Sequence, residues 1–260
     1  MGGLLRQVGR HIERWYSIPL LLLIWQAAVS SGLVESRLLP GLGRVAAALI
    51  RDTGNGVLPY HTAVTLTRAA LGFALAALAG VPFAAAMARS ALIRNLFEPI
   101  FFFGYPVPKI ALFPVFTYVF GIGSPSKIAF AFLECLYPIV VTAYLGFRAI
   151  PVRLVWSAEN MGAPRATIIG RVIMPAAMPG IFSGLRIALP IAIIVIVLTE
   201  MIGDSRGLGY YIAISGTRFE FANVYAAILV IGACGFVLDR GLLRLRRAVL
   251  HWEHDTEGAR

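Results

Sequence analysis

The sequence predicts an all-α fold: a polytopic membrane helical bundle of about six transmembrane helices. Three observations carry that prediction. Hydrophobic residues make up 58% of the 260 residues and the mean hydropathy is +0.79, far from the balance of a soluble domain. The apolar residues are gathered into six runs, at approximately 17–34, 63–88, 96–120, 128–148, 178–202 and 222–243, and a hydrocarbon core of about 30 Å takes roughly 20 apolar residues per helix. Within the runs the apolar residues are continuous and rich in Ala and Leu, without the in-and-out alternation of barrel strands.

Taken in order, the first run follows Arg6, Arg10 and Arg14, and its "IPLLLLIW" followed by "AAVSS" also mimics a cleavable signal peptide. Cleavage there would leave five spans. Residues 35–62 form the longest connecting segment, in which "GRVAAALIRD" reads as a short surface helix ended by "TGNG". The second run opens with "HTAVTLTRAALGF", whose Arg68 either snorkels to the interface or faces a polar interior. The third contains "GYPVPKIALFP", with Pro106, Pro108 and Pro114. Each proline removes a backbone donor and clashes with the preceding turn, so a smooth helix is not expected here. Irregular backbone at membrane depth must be buried in protein or line a wet cavity, which makes Lys109 a candidate either for that lining or for a snorkelling helix end.

The fourth run carries Glu134 in "FLECLYP" and the fifth Glu200 in "VLTEMIG". An intramembrane carboxylate is costly and faces the bundle interior. Glu200 lies close enough to "GDSRGLGYY" to brace that loop, while Glu134 is protonated or paired with another helix. In "GIFSG", residues 180–184, small residues four apart permit close helix packing. Cys135 and Cys234 fall inside apolar runs and are expected as packing residues. No linker or internal repeat divides residues 1–260, which read as a single domain.

The formal net charge is +10, yet the Lys and Arg residues flank the apolar runs instead of forming one basic patch, and no nucleic-acid partner is expected. With the N-terminus cytoplasmic, fourteen arginines fall inside: Arg6, Arg10, Arg14, Arg89, Arg94, Arg148, Arg153, Arg165, Arg171, Arg240, Arg244, Arg246, Arg247 and Arg260. Six basic residues fall outside, namely Arg37, Arg44, Arg51, Lys127, Arg206 and Arg218, while Arg68, Lys109 and Arg186 lie in or at the rim of spans. The bias puts both termini and the segment near residue 160 on the cytoplasmic side.

The chain has no G-x-x-x-x-G-K-[ST] phosphate loop, so nucleotide hydrolysis is expected elsewhere. His251, His254 and Asp255 read as a solvated tail and not as a metal site, and no nucleophile stands with a base. These residues leave a transporter powered by another subunit, or an ion-coupled secondary transporter using Glu134, Glu200 or Lys109 as relays.

A polar elbow, "AENMGAPRATIIGRVIMPAAMPG", interrupts the apolar chain at residues 158–180. Pro151 can start a helix, because its missing N–H would be unpaired there anyway, and that helix runs to Gly162. Pro164 starts a second short helix, on which Ile168, Ile169, Val172 and Ile173 cluster by helical spacing while Arg165 and Arg171 lie near water. Pro175 and Pro179 then steer the chain back into the bilayer. The expected product is a protruding helix-turn-helix.

From Trp156 the run "WSAENMGAPRATIIGRVIMPAAMPG" resembles the EAA loop of binding-protein-dependent ABC transporter permeases, whose pattern is E-A-A, three residues, Gly, nine residues, an aliphatic, one residue and Leu-Pro. Gly162 stands at the motif glycine, Val172 at the aliphatic and Met174-Pro175 at Leu-Pro. Trp156 and Ser157 replace the motif's Glu and first Ala, Ala158 is retained, and Glu159 is out of register by three. "LLPGLGRVAAALI", "TLTRAALGFALAALAGVPFAAAMARS", "PVPKIALFPVFTYVFGIGSPSKIA", "TEMIGDSRGLGYYI" and "LDRGLLRLRRAVLHW" are similar to the nitrate, sulfonate and taurine branch, which also includes permeases for thiamine-pyrimidine precursors.

The resemblance implies a type I importer permease, MetI-like fold in the bacterial inner membrane. It implies a permease dimer, two cytoplasmic ATPase subunits that hold ATP and Mg, and an extracytoplasmic solute-binding protein; this chain itself is expected to bind no cofactor. Coupling to the ATPase would fall on a loop at about 151–176, through Ser157, Ala158, Glu159, Gly162, Ala163, Pro164, Arg165 and Pro175. The translocation pathway would take Arg68, Lys109, Glu134 and Glu200.

Overall fold

The computed structural model describes residues 17–32, 35, 38–104 and 107–251, and every regular element among them is helical. These are α1 (Ser17–Ser30), α2 (Leu42–Gly54), α3 (Val57–Arg89), α4 (Ala91–Gly104), a 3₁₀ turn (Lys109–Leu112), α5 (Phe113–Phe120) and α6 (Ser124–Arg148). There follow α7 (Val152–Asn160), α8 (Arg165–Ile168), a π-helical stretch (Ile169–Ile173), α9 (Met174–Met201), α10 (Leu208–Thr217) and α11 (Phe221–Val249). Among the described residues four helices are long and apolar enough to cross a bilayer: α3, α6, the 37-residue run Arg165–Met201, and α11. The other two predicted spans correspond to the shorter α1 and to the broken path through α4 and α5. Met1, the arginines before α1, Pro106, His254 and Asp255 lie outside the described residues.

Local sequence explains where these helices begin and break. The helix α3 starts at Val57, ahead of the apolar run, because the Asn55 side chain accepts the Val57 N–H at 3.1 Å and Gly56 turns the chain at φ +80°. The third span breaks after Gly104, as its prolines predict, and resumes as a 3₁₀ turn before Pro114 enters α5 in its first turn, where a missing N–H costs nothing.

The core is a three-helix layer of α3, α6 and α9. Ala69, Ala76, Phe130, Ala131, Ile139, Ala188, Ala192 and Ile196 pack together within it, all at most 4% exposed. In lipid no hydrophobic force drives helices together, so van der Waals fit must do so, and small residues let backbones approach. Gly180 shows this directly, because a Cβ added there would lie 2.6 Å from the Gly146 Cα of α6. Gly184 sits in the same way over the Ile139 backbone, so "GIFSG" is a packing seam. Cys135 is buried in this core and Cys234 half-buried, and both are free thiols.

The remaining helices dress this layer. The α1 end is tied down by Trp25, whose indole N–H donates to the Pro40 carbonyl at 3.1 Å and whose ring meets Tyr225 edge-on. The first half of α1, Leu20 to Ile24, is exposed. At one end of the bundle α2 and α10 lie beside α11, joined by Leu58, Leu208, Tyr211 and Ala227 and by Val45, Ala48 and Ala226. The elbow occupies the opposite end.

Candidate functional site

The elbow is built by three backbone-restricting residues. Pro151, extended at ψ 122°, precedes α7. At the other end Gly162 takes φ +75°, and its N–H reaches the Glu159 carbonyl at 2.9 Å while the Ala163 N–H reaches the Ala158 carbonyl at 3.1 Å. This is a Schellman cap with the glycine in the left-handed position. Among the described residues, its two chain neighbours aside, nothing lies within 4 Å of where a Gly162 Cβ would be, so the glycine serves the turn and leaves open space beside it. Pro164, extended at ψ 150°, then launches α8.

The second arm differs from expectation. It is no short helix ended by Pro175 and Pro179, but runs on without interruption into the membrane helix α9. A proline lacks its N–H and collides with the carbonyl four residues earlier. The wider π turn absorbs this: the Met174 N–H bonds the Ile169 carbonyl, and Pro175 enters in the first turn of α9. Ile169 is 39% exposed, while Ile168 is buried.

Of the residues matched to the EAA loop, Ser157, Glu159, Gly162, Pro164 and Arg165 are exposed, Ala163 and Pro175 are half-buried, and Ala158 is buried against the turn. Beside them Val152, Leu154, Trp156 and Met161 present apolar surface, Met161 at 79% exposure. The elbow is thus a helix pair outside the apolar core with an exposed apolar tip.

At the other end Arg68 does not snorkel. It is buried among four elements: its Nε donates to Ser124 Oγ at 2.9 Å, and its Nη1 to Glu200 Oε1 and Asp204 Oδ2, each at 2.8 Å, and to the Arg206 carbonyl at 3.2 Å. Lys127 Nζ meets Asp204 at 3.0 Å. The other Glu200 oxygen accepts from Thr65 Oγ1 at 2.7 Å and from the Gly209 N–H at 3.1 Å. Thr65 in turn accepts the Leu208 N–H, and His61 Nδ1 accepts the Gly207 N–H. The loop "GDSRGLG" is thereby clamped onto α3, α6 and α9, and Glu200 braces it as its proximity suggests.

Two cations and two carboxylates balance in this cluster. Burial works to raise the Asp204 carboxyl, but the Lys127 ammonium, the Ser205 N–H and Arg68 outweigh it and hold it below its usual range. Nearer the bundle end, the Tyr211 hydroxyl donates to Asp52, and Arg51 links Asp52 to Asn223 at 2.8 Å. The Arg51 hydrogen bond, foremost, holds the Asp52 carboxyl below its ordinary value.

Lys109 and Glu134 form a second, separate pair, Nζ to Oε2 at 3.8 Å, and Lys109 also lies 4.6 Å from the centre of the Tyr137 ring. The four charged residues singled out from the sequence thus divide in two, Arg68 with Glu200 and Lys109 with Glu134. Asp204 and Lys127, which complete the first group, were not singled out as site residues because charges at span ends are commonplace. The spacing of Asp204 four residues after Glu200 was the available signal. Asp239 was also missed: it pairs with Arg186 at 3.0 Å, half-exposed between α11 and α9.

Residues 72–251 match the family model of the binding-protein-dependent transport system inner membrane component. The chain is 32% identical over 246 residues to the taurine transport system permease protein TauC of Escherichia coli K12, covering 93% of this chain and 90% of that one. It is 27% identical to the formylaminopyrimidine transport permease protein ThiX of Halalkalibacterium halodurans, covering 90% of this chain and 92% of the relative. Its fold is similar to a chain of the MetNI methionine ABC transporter in inward-facing conformations, with TM-score 0.63 and 19% identity over 72% of this chain and 93% of the other. The chain belongs to the inner-membrane components of binding-protein-dependent transport systems, the permease subunits of ABC importers.

Proposed function

We propose that this permease imports a small organic sulfonate, with the elbow facing the cytoplasm as its ATPase-coupling element. The elbow's capped turn at Gly162 carries the coupling assignment: it makes a stiff knob, with Trp156, Met161 and Arg165 exposed, continuous through the π stretch with core helix α9. Two cytoplasmic ATPase subunits hold ATP and Mg and hydrolyse the nucleotide. Their closure pushes two elbows, one from each copy of a permease homodimer, and α9 carries the displacement into the bundle. Both termini are then cytoplasmic. The end formed by α2, α10 and their loops faces the extracytoplasmic binding protein.

The similarity to a taurine permease over nearly the full length supports a sulfonate cargo. Lys109 and Glu134 are the pathway residues of this reading, and Arg68 and Glu200 hold the outer loop in register beside it. The test is uptake by cells lacking this permease, measured with radiolabelled 2-aminoethanesulfonate, nitrate and a formylaminopyrimidine. Sulfonate uptake is expected to fall to background and return with the gene. Unchanged sulfonate uptake with loss of nitrate or pyrimidine uptake would overturn the cargo.

A further inference from the structure

The two charged clusters inside the bundle are built differently. In the Arg68 cluster no charged side chain is more than 7% exposed, and both carboxylates are hydrogen-bonded. The Lys109 and Glu134 side chains are 14% and 15% exposed, and at 3.8 Å they stand beyond hydrogen-bond reach. Glu134 lies ten residues along α6 from Ser124, about 15 Å at the rise of an α-helix, near mid-depth of a core of about 30 Å. A charge open to lipid there is not sustained, so this residual opening faces water or protein.

The pair also has the chemistry of a seat. Lys109 Nζ lies 3.8 Å from Glu134 Oε2 and over the Tyr137 ring, 4.6 Å from its centre, and a carboxylate beside an aromatic face is a receptor for an ammonium. The seat is rigid on its own side. Phe101 meets the Tyr137 ring edge-on at 5.0 Å, and Gly104 approaches its hydroxyl so closely that any Cβ would collide with it. Lys109 is the mobile part, a charge on a flexible four-carbon stem, carried by a 3₁₀ turn after the helix break.

We propose that Lys109, Glu134 and Tyr137 form a station selective for a zwitterion, a small solute bearing both an ammonium and an oxyanion. Lys109 occupies the seat in the resting state as a stand-in for the solute's amine. On passage the solute's ammonium enters between Glu134 and Tyr137, and the displaced Lys109 ammonium pairs with the solute's oxyanion. Every charge keeps a partner throughout. A solute that is only an anion takes Lys109 and leaves Glu134 uncompensated, an arrangement a low-dielectric interior disfavours. The inference rests on the sulfonate reading above and narrows it to aminosulfonates.

The test uses the complete importer, with ATPase and binding protein, in proteoliposomes. Uptake per ATP is measured for 2-aminoethanesulfonate and for ethanesulfonate, each at a concentration saturating the binding protein. Wild type is expected to carry the first and discriminate against the second. Glu134→Gln should cut uptake of the aminosulfonate about tenfold or more while leaving or raising that of ethanesulfonate, and Lys109→Met should cut both. The double variant Lys109→Met/Glu134→Gln leaves no unpaired charge, so its assembly is preserved, and it should remain poor for the aminosulfonate. Recovery of aminosulfonate uptake in that double variant, or equal losses of both solutes in Glu134→Gln, would make the pair a structural clamp and overturn the station. Wild-type carriage of both solutes alike overturns the station alone; carriage of neither overturns the sulfonate reading with it.

Discussion

At Arg68, a guanidinium 3% exposed joins helices whose contacting residues are 132 and 136 positions apart in the chain. Removing one partner of such a buried set leaves a bare charge, which costs about 3–5 kcal/mol, whereas removing both costs less. Arg68→Met is therefore expected to lower the thermal stability of the purified protein, and Arg68→Met/Glu200→Gln to recover at least part of the loss in the same unfolding scan. The pH axis of that scan is a second check. Asp204 is held below its unfolded value, chiefly by Lys127 against the opposing effect of burial, so its contribution is complete above the usual carboxylate range and fades as pH falls through and below about 4, and Lys127→Met should flatten that limb more than Arg68→Met does. At this scale the sequence reveals which residues are anomalous, since Arg68, Lys109, Glu134 and Glu200 are charges in apolar runs. It does not reveal their partners, because pairing between separate helical elements is a property of packing, and Asp204 and Lys127 stand at helix ends where charge is ordinary.

Among elements, the elbow and the broken third span were the most legible, because proline and glycine act locally. Pro151, Gly162 and Pro164 fix the corner through φ restriction and a left-handed turn, and these are properties of the residues themselves. The continuation into α9 was not legible. Two prolines normally punctuate a helix, yet the π stretch, an adjustment of five residues, leads into α9 with Pro175 in its first turn, and Pro179 lies inside that helix. That continuity matters, since a knob rigidly joined to a core helix transmits displacement. Gly162→Asp is expected to abolish ATP-driven uptake with unchanged protein in the membrane, as it projects a charged side chain into the open space beside the turn. Gly162→Ala strains the turn by about 1–2 kcal/mol and should retain part of the uptake. Uptake and an immunoblot of the membrane fraction read both, and normal uptake by Gly162→Asp would remove the elbow from the coupling path.

For the whole molecule, the helical class and the approximate positions of six apolar spans follow from run length and composition alone. Which helices form the core does not. The layer of α3, α6 and α9 depends on Gly146, Gly180 and Gly184 meeting across helices, while α11, equally apolar, has only 11% of its most apolar window buried. Such an uncovered helix, together with the exposed first half of α1, fits a permease that works against lipid and a second copy. The family match settles the class of machine, and on the reading proposed above its energy enters through the elbow from an ATPase. The most direct measurement is uptake by the permease in proteoliposomes with its ATPase and binding protein, with all ion gradients collapsed by ionophores. Accumulation that requires ATP and both partners and persists without gradients is the predicted result, and accumulation driven by an ion gradient in the absence of ATP would contradict it.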